Sequence, residues 1–151
     1  MKKINQELIA LFDKYGRDRR RALRENKKLS YLYALADLRE NLLDWYQFDP
    51  EQQALQIGAG AGALTGLLAR RLSSVTVLDV SEENLEVVRR RFKTEPELAA
   101  KIRYVCADVE TYAREAEKCG GTYGYVVLIG DLTAADRAGR AAQMTAAKTR
   151  I

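Results

Sequence analysis

Histidine is absent from this 151-residue sequence, and cysteine occurs only twice, as Cys106 and Cys119, in unrelated contexts without metal-ligand spacing. These shortages argue against zinc sites, histidine-based catalytic triads and a disulfide-built scaffold. A long apolar run is also lacking. The nearest is Tyr125 to Gly130, far short of the roughly 20 residues that a membrane span needs, and the N-terminus has no apolar core of the kind a signal peptide carries. The expectation is a soluble, cytoplasmic chain with no membrane partner. What the sequence does have is a hydrophobic fraction of 47%, enough to build one buried core in a chain of this length.

The net charge of +4 is unevenly spread, because residues 1 to 28 sum to +6 and the remainder to −2. Arg17, Arg19, Arg20, Arg21, Arg24, Lys27 and Lys28 supply the excess, interrupted by Asp18 and Glu25. A solvated helix face is favoured over a phosphate-binding patch, so a nucleic-acid partner is open but not favoured.

From Ile4 to Phe48 the pattern is helical. Leu8, Leu11, Phe12 and Tyr15 form one stripe and Leu32, Leu35, Leu38, Leu42 and Trp45 another, both expected to face the core. Asp49-Pro50 then closes an N-terminal helical segment, residues 1 to 48. From residue 49 to 130, short apolar runs alternate with amphipathic helices, which predicts an α/β domain on a parallel sheet. The predicted strands are Ala54 to Ile57, Val75 to Val80, Ile102 to Ala107 and Tyr125 to Ile129. Leu64, Leu67, Leu68 and Leu72 mark the first intervening helix, and Leu85, Val88 and Phe92 the second, with Ser81 as its N-cap. A third helix runs from Val109 to Lys118 and is predicted to end at Gly120-Gly121. Residues 131 to 151 hold few large apolar side chains and read as an atypical tail, helical or disordered.

The residues that carry chemistry fall at strand ends. Gly58, Gly60 and Gly62, with Ala59 between the first two, follow strand one and lead into a helix, so the chain can turn tightly and leave its N–H groups open to a ligand. Asp79 ends strand two, 19 residues after Gly60, where a carboxylate can accept hydrogen bonds from two ribose hydroxyls. Asp108 follows strand three and is a candidate acceptor for an adenine amino group. Each element has a blander reading: a structural turn, or a helix-capping aspartate. The loop also fits a dinucleotide pattern, which keeps a nicotinamide-dependent oxidoreductase as an alternative. Their order and placement favour a nucleoside cofactor.

The stretches ALQIGAGAGALTGLLARRL, VTVLDVSEENLEVVRRRF, IRYVCADVE and YGYVVLIGDL, preceded by the helix LRENLLDWY, resemble the successive motifs of class I S-adenosylmethionine-dependent methyltransferases over about residues 30 to 130. The resemblance implies a Rossmann-like parallel sheet of order 3-2-1-4 with flanking helices, and S-adenosylmethionine as cofactor. It implies that Gly58, Gly60 and Gly62 pass under the methionine part, that Asp79 with Val80 meets the ribose side, and that Asp108 with Val109 frames the adenine. Ile129 and Gly130 would lie near the transferring methyl group. Gln56 stands where the family usually has an acid, which removes an electrostatic contribution toward the methionine ammonium.

The fourth motif lacks the Asn/Asp-Pro-Pro-Tyr pattern of amino-methylating relatives, so small-molecule or sugar O-methylation is favoured over methylation of a base. No general base is assigned; Asp131 is as well placed to cap a helix. The resemblance stops after strand four, where the family fold has further strands. The expectations are therefore a truncated member and a fourth-strand edge covered by a second copy, a partner chain or the terminal helices. A non-catalytic cofactor-binding subunit is the remaining alternative, and the methyl acceptor is unknown.

Overall fold

A computed structural model describes residues 3–119 and 122–129. Its sheet has four parallel strands in the order β3-β2-β1-β4, formed by Gln53–Ile57 (β1), Ser74–Asp79 (β2), Ile102–Cys106 (β3) and Tyr125–Leu128 (β4). The predicted strands are all present, with ends that differ by one residue. The intervening helices are Ala63–Arg71 (α4), Glu82–Phe92 (α5), the short Pro96–Ala99 (α6) and Val109–Cys119 (α7). Ahead of the sheet come Lys3–Tyr15 (α1), Arg19–Glu25 (α2), Leu29–Leu35 (α3) and a 3₁₀ segment, Asp37–Leu42. No helix among the described residues is long and apolar enough to cross a membrane.

Each sheet face buries its own set of side chains, as the two-residue period of a strand requires. Ala54, Val75, Val77, Ile102 and Val127 pack under Leu68, Leu72, Leu85, Val88 and Phe92 of the α4–α5 layer. Leu55 and Leu78 meet Tyr112 of α7 on the other face, with Ile57, Val105 and Tyr123 alongside. There the hydroxyls of Tyr112 and Tyr123 are hydrogen-bonded, and the Tyr123 hydroxyl also donates to Thr76 Oγ1. Burial drives Tyr112 up to about 12, reinforced by Tyr123.

The first apolar stripe of the N-terminal segment behaves as predicted: Leu8, Leu11 and Phe12 are buried with Ala22, Tyr31, Ala34 and Leu35 against Val87 of α5. The second stripe does not. Of Leu32, Leu35, Leu38, Leu42 and Trp45, only Leu35 is buried, and Trp45 is 76% exposed. Helix α3 stops at Leu35 because Ala36 is extended (φ −70°, ψ 143°), and the following 3₁₀ turn has a different side-chain period, so the five residues never share one helical face. The acids of this stretch form ion pairs with neighbouring arginines instead. Glu40 pairs with Arg70 (2.6 Å), Asp44 with Arg71 (2.8 Å) and Asp37 with Arg19 (3.8 Å).

Gly120, Gly121, Gly130, Asp131 and the tail to residue 151 lie outside the described residues. The readings made for them above therefore have no structural counterpart here.

Candidate cofactor site

The carboxyl ends of β1, β2 and β3 lie side by side, and the glycine turn, Asp79 and Asp108 follow or end these strands. Register pairs Ile57 with Leu78 and Asp79 with Cys106, and the ladder runs one bond further when Gly58 N donates to Leu78 O at 2.8 Å. Gly58, Gly60 and Gly62 have φ of 85°, 52° and 73°, a region that disfavours any side chain. Their surroundings differ. A Cβ on Gly58 or Gly60 would meet nothing within 4 Å, whereas one on Gly62 would lie 3.0 Å from Val88 Cγ1 and 3.2 Å from Arg91 Cδ. The first two glycines therefore face open space that a ligand can use, and the third lets α4 pack closely on α5.

Three side chains pin this loop from three elements. From β2, Asp79 Oδ2 accepts from Ala59 N at 2.8 Å. From β1, Gln56 Nε2 donates to Gly58 O at 3.2 Å while its Oε1 accepts from Thr65 Oγ1 at 2.8 Å. From α5, Arg91 Nη1 donates to Ala61 O at 3.1 Å and to Ala34 O at 2.7 Å. Gln56 is 4% exposed and both ends of its amide are engaged inside the protein, so the side chain fastens the loop where it stands.

Arg91 is 2% exposed, and its Nε has no hydrogen-bond partner among the described residues. Burial, helped by repulsion from Arg19, lowers it to about 10. Sequence reasoning missed Arg91, Thr65 and Asn84, although Asn84, Val88 and Arg91 share one face of α5 at spacings of four and three.

Asp79 is 8% exposed and is surrounded by donors. Its Oδ1 accepts from Ser81 N at 2.8 Å, and Asn84 Nδ2 lies 3.2 Å from Oδ1 and 3.3 Å from Oδ2. Ser81 caps α5 as predicted, with Oγ accepting from Asn84 N at 3.4 Å. Beside Asp79, Val80 is 74% exposed, an apolar side chain open to a flat ligand.

Asp108 is exposed and caps α7. Its Oδ1 accepts from Thr111 N (2.8 Å) and its Oδ2 from Thr111 Oγ1 (2.7 Å). Those bonds hold its carboxyl below the usual value of 3.8. Val109 and Ile129 are half-buried. A cavity of about 330 Å³ lies elsewhere, among α2, α3 and the 3₁₀ segment, lined in part by Arg19, Arg20, Asp37 and Asn41, and it shares no residue with the strand-end site.

Comparison with known proteins accords with this geometry. Residues 54–148 match the family model described as a methyltransferase domain. Ribosomal RNA small subunit methyltransferase A of Salinibacter ruber is 32% identical over 85 residues, covering 56% of this chain and 27% of that protein. Malonyl-[acyl-carrier protein] O-methyltransferase of a Paenibacillus species is 38% identical over 68 residues, covering 44% and 24%. The chain thus matches about a quarter of the length of these curated relatives. Coclaurine N-methyltransferase, solved with N-methylheliamine and S-adenosylhomocysteine, shares the fold at a TM-score of 0.50 and 24% identity, over 62% of this chain and 27% of that one. With the 3-2-1-4 strand order and a family match over residues 54–148, the chain belongs to the class I S-adenosylmethionine-dependent methyltransferase domain family.

Proposed function

We propose that this chain binds S-adenosylmethionine at the glycine turn and directs its methyl group to an oxygen of a small molecule or sugar. The observation that carries the cofactor part is the pairing of open space at Gly58 and Gly60 with a carboxylate, Asp79, bonded to the same loop at 2.8 Å. When bound, the cofactor supplies a methyl group on a cationic sulfur that leaves as a neutral thioether. The protein's part is therefore mostly binding and alignment. In this reading Asp79 accepts from the ribose with Val80 beside it, Asp108 and Val109 border the adenine, and the Gly58–Gly62 turn backs the methionine portion. Ile129 borders the methyl, and for Gly130, outside the described residues, the same place rests on the sequence resemblance alone.

The oxygen acceptor rests on the sequence after β4, Ile129-Gly130-Asp131-Leu132, which lacks the Pro-Pro-Tyr element that holds a planar nitrogen. The malonyl-[acyl-carrier protein] O-methyltransferase similarity supports it; the ribosomal RNA methyltransferase similarity supports the competing nucleic-acid reading. Calorimetry with S-adenosylhomocysteine and with reduced nicotinamide dinucleotide tests the cofactor, and binding of only the latter would overturn the proposal. Incubation with methyl-labelled cofactor and fractionated cell extract tests the acceptor. Label in the small-molecule fraction is expected; label in RNA bases would overturn the oxygen assignment.

A further inference from the structure

A carboxylate offers about four lone-pair positions. At Asp79 two of them are taken by backbone donors that cannot leave without unmaking the fold, Ala59 N on Oδ2 and Ser81 N on Oδ1, both at 2.8 Å. The other two are those a ribose diol needs, one on each oxygen. Asn84 fills both: its Nδ2 straddles the carboxylate at 3.2 and 3.3 Å.

The amide is held in place. Its backbone is fixed in the first turn of α5, with Asn84 N donating to Ser81 O at 3.0 Å, so only side-chain torsions can move it. On its other end, Oδ1 accepts from Asn5 Nδ2 of α1 at 3.1 Å. The amide orientation follows from the carboxylate, since a flipped Asn84 would set its oxygen against an anion. Asn5 is itself buried, on the stripe of α1 that continues through Leu8 and Phe12 into the core. The long Asn84–Asp79 distances mark weak, displaceable bonds beside the two short ones.

We propose that Asn84 is a stand-in for the ribose diol, steadied by Asn5, and that cofactor entry requires this amide to turn away from Asp79. The inference rests on Asp79 being the ribose acceptor. It makes Asn84 a competitor of the cofactor and couples the N-terminal helix to the site.

The test is calorimetry on wild type, Asn84→Ala and Asn5→Ala with two probes, S-adenosylhomocysteine and its 2′,3′-dideoxy analogue. Removing the competitor frees about one weak hydrogen bond's worth of binding, so Asn84→Ala is expected to bind S-adenosylhomocysteine about fivefold tighter. The dideoxy analogue, which needs no oxygen of Asp79, should bind both proteins alike. Asn5→Ala, which frees Asn84 to turn, should tighten S-adenosylhomocysteine binding by less, and it carries the test should Asn84→Ala fail to fold. Unchanged or weaker binding of S-adenosylhomocysteine by the variants overturns the proposal while leaving the cofactor reading intact. Equal tightening of the two probes overturns it as well. If neither wild type nor variants bind S-adenosylhomocysteine, the ribose reading of Asp79 fails and takes this proposal with it.

Discussion

Replacing Asp79 by asparagine keeps the shape of the side chain but changes what it can accept. In the native protein each carboxylate oxygen holds a different backbone N–H, Ala59 N on Oδ2 and Ser81 N on Oδ1, both at 2.8 Å. An asparagine has one acceptor oxygen, so one of those N–H groups must face an NH₂. Ala59 and Asp79 are both buried, so water does not readily replace the lost partner. Counted once, the loss of a charge-assisted bond with a buried donor left over is about 2–4 kcal/mol, out of a total stability of about 5–15 kcal/mol for a domain. With a mid-range urea slope of about 2 kcal/mol per molar, the midpoint should fall by about 1–2 M at unchanged slope.

Urea unfolding followed by circular dichroism checks this, with Asn84→Ala as the control. That control loses the long contacts at 3.2 and 3.3 Å and the Asn5 bond at 3.1 Å but keeps both backbone donors on Asp79, so its midpoint should fall by less than that of Asp79→Asn. Affinity of Asp79→Asn for S-adenosylhomocysteine should fall at least about tenfold, as a charged acceptor for two hydroxyls is lost. A midpoint within about 0.3 M of wild type would refute the claim that Asp79 fastens the loop to α5.

The two ends of the glycine turn should respond differently to an added methyl group. Gly60→Ala costs the left-handed strain alone, about 1–2 kcal/mol, and weakens cofactor binding; Gly62→Ala adds about 1–3 kcal/mol of crowding against Val88 and Arg91. Thermal unfolding should therefore rank wild type above Gly60→Ala above Gly62→Ala, and the reverse order of the two variants would contradict the packing argument. Gln56→Glu restores the acid common in the family but removes the donor to Gly58 O. It should lower stability by about 1–3 kcal/mol, and less at about pH 5 than at about pH 8, because a protonated carboxyl can still donate. An equal loss at both pH values would count against this. Asp108 has its folded-state pKa below 3.8, so its bonds to Thr111 stabilise the fold above 3.8 and lose that effect as pH falls through the lower folded value. The stability gap between wild type and Asp108→Asn should thus be constant above 3.8 and close on further acidification, as read from urea midpoints at successive pH values. A gap that widens in acid would exclude the capping role.

Local pattern sufficed for the sheet because each strand is a short apolar run whose neighbours are amphipathic. Leu64, Leu67 and Leu68, like Leu85, Val88 and Phe92, are all buried where their spacing places them. The glycine turn was equally legible, since a positive φ leaves a direct trace in the residue type. The 3₁₀ segment was not. Its leucines kept a helical spacing through a point where the chain is extended at Ala36, and the contacts that tie this stretch to α4 are ionic: Glu40 and the nearby Asp44 pair with Arg70 and Arg71, over 27 to 30 residues of sequence. Polar residues that serve the interior escaped for a related reason. Asn5 and Asn84 lie on buried stripes by spacing, with Leu8 and Phe12 in one case and Val88 in the other, but a polar residue on an apolar stripe announces only that it has a partner. The partner comes from another element.

Arg91 shows why the N-terminal helices belong to the site. A buried guanidinium carries a desolvation cost, here enough to move it from 12.5 to about 10, on the order of 3 kcal/mol against the charged form. Its hydrogen bonds tie Ala34 at the end of α3 to Ala61 in the glycine turn, two carbonyls 27 residues apart in sequence. With one nitrogen donating to both, the turn and the N-terminal layer are fixed to the same atom. Gln56 and Asp79 fix the same turn from the sheet, so its shape is set before any ligand arrives and binding need not expend free energy on ordering it. The Asn5 contact to Asn84 runs through the same helical layer to the carboxylate itself. Loosening α1 or α3 therefore removes supports from the loop and from Asp79 together.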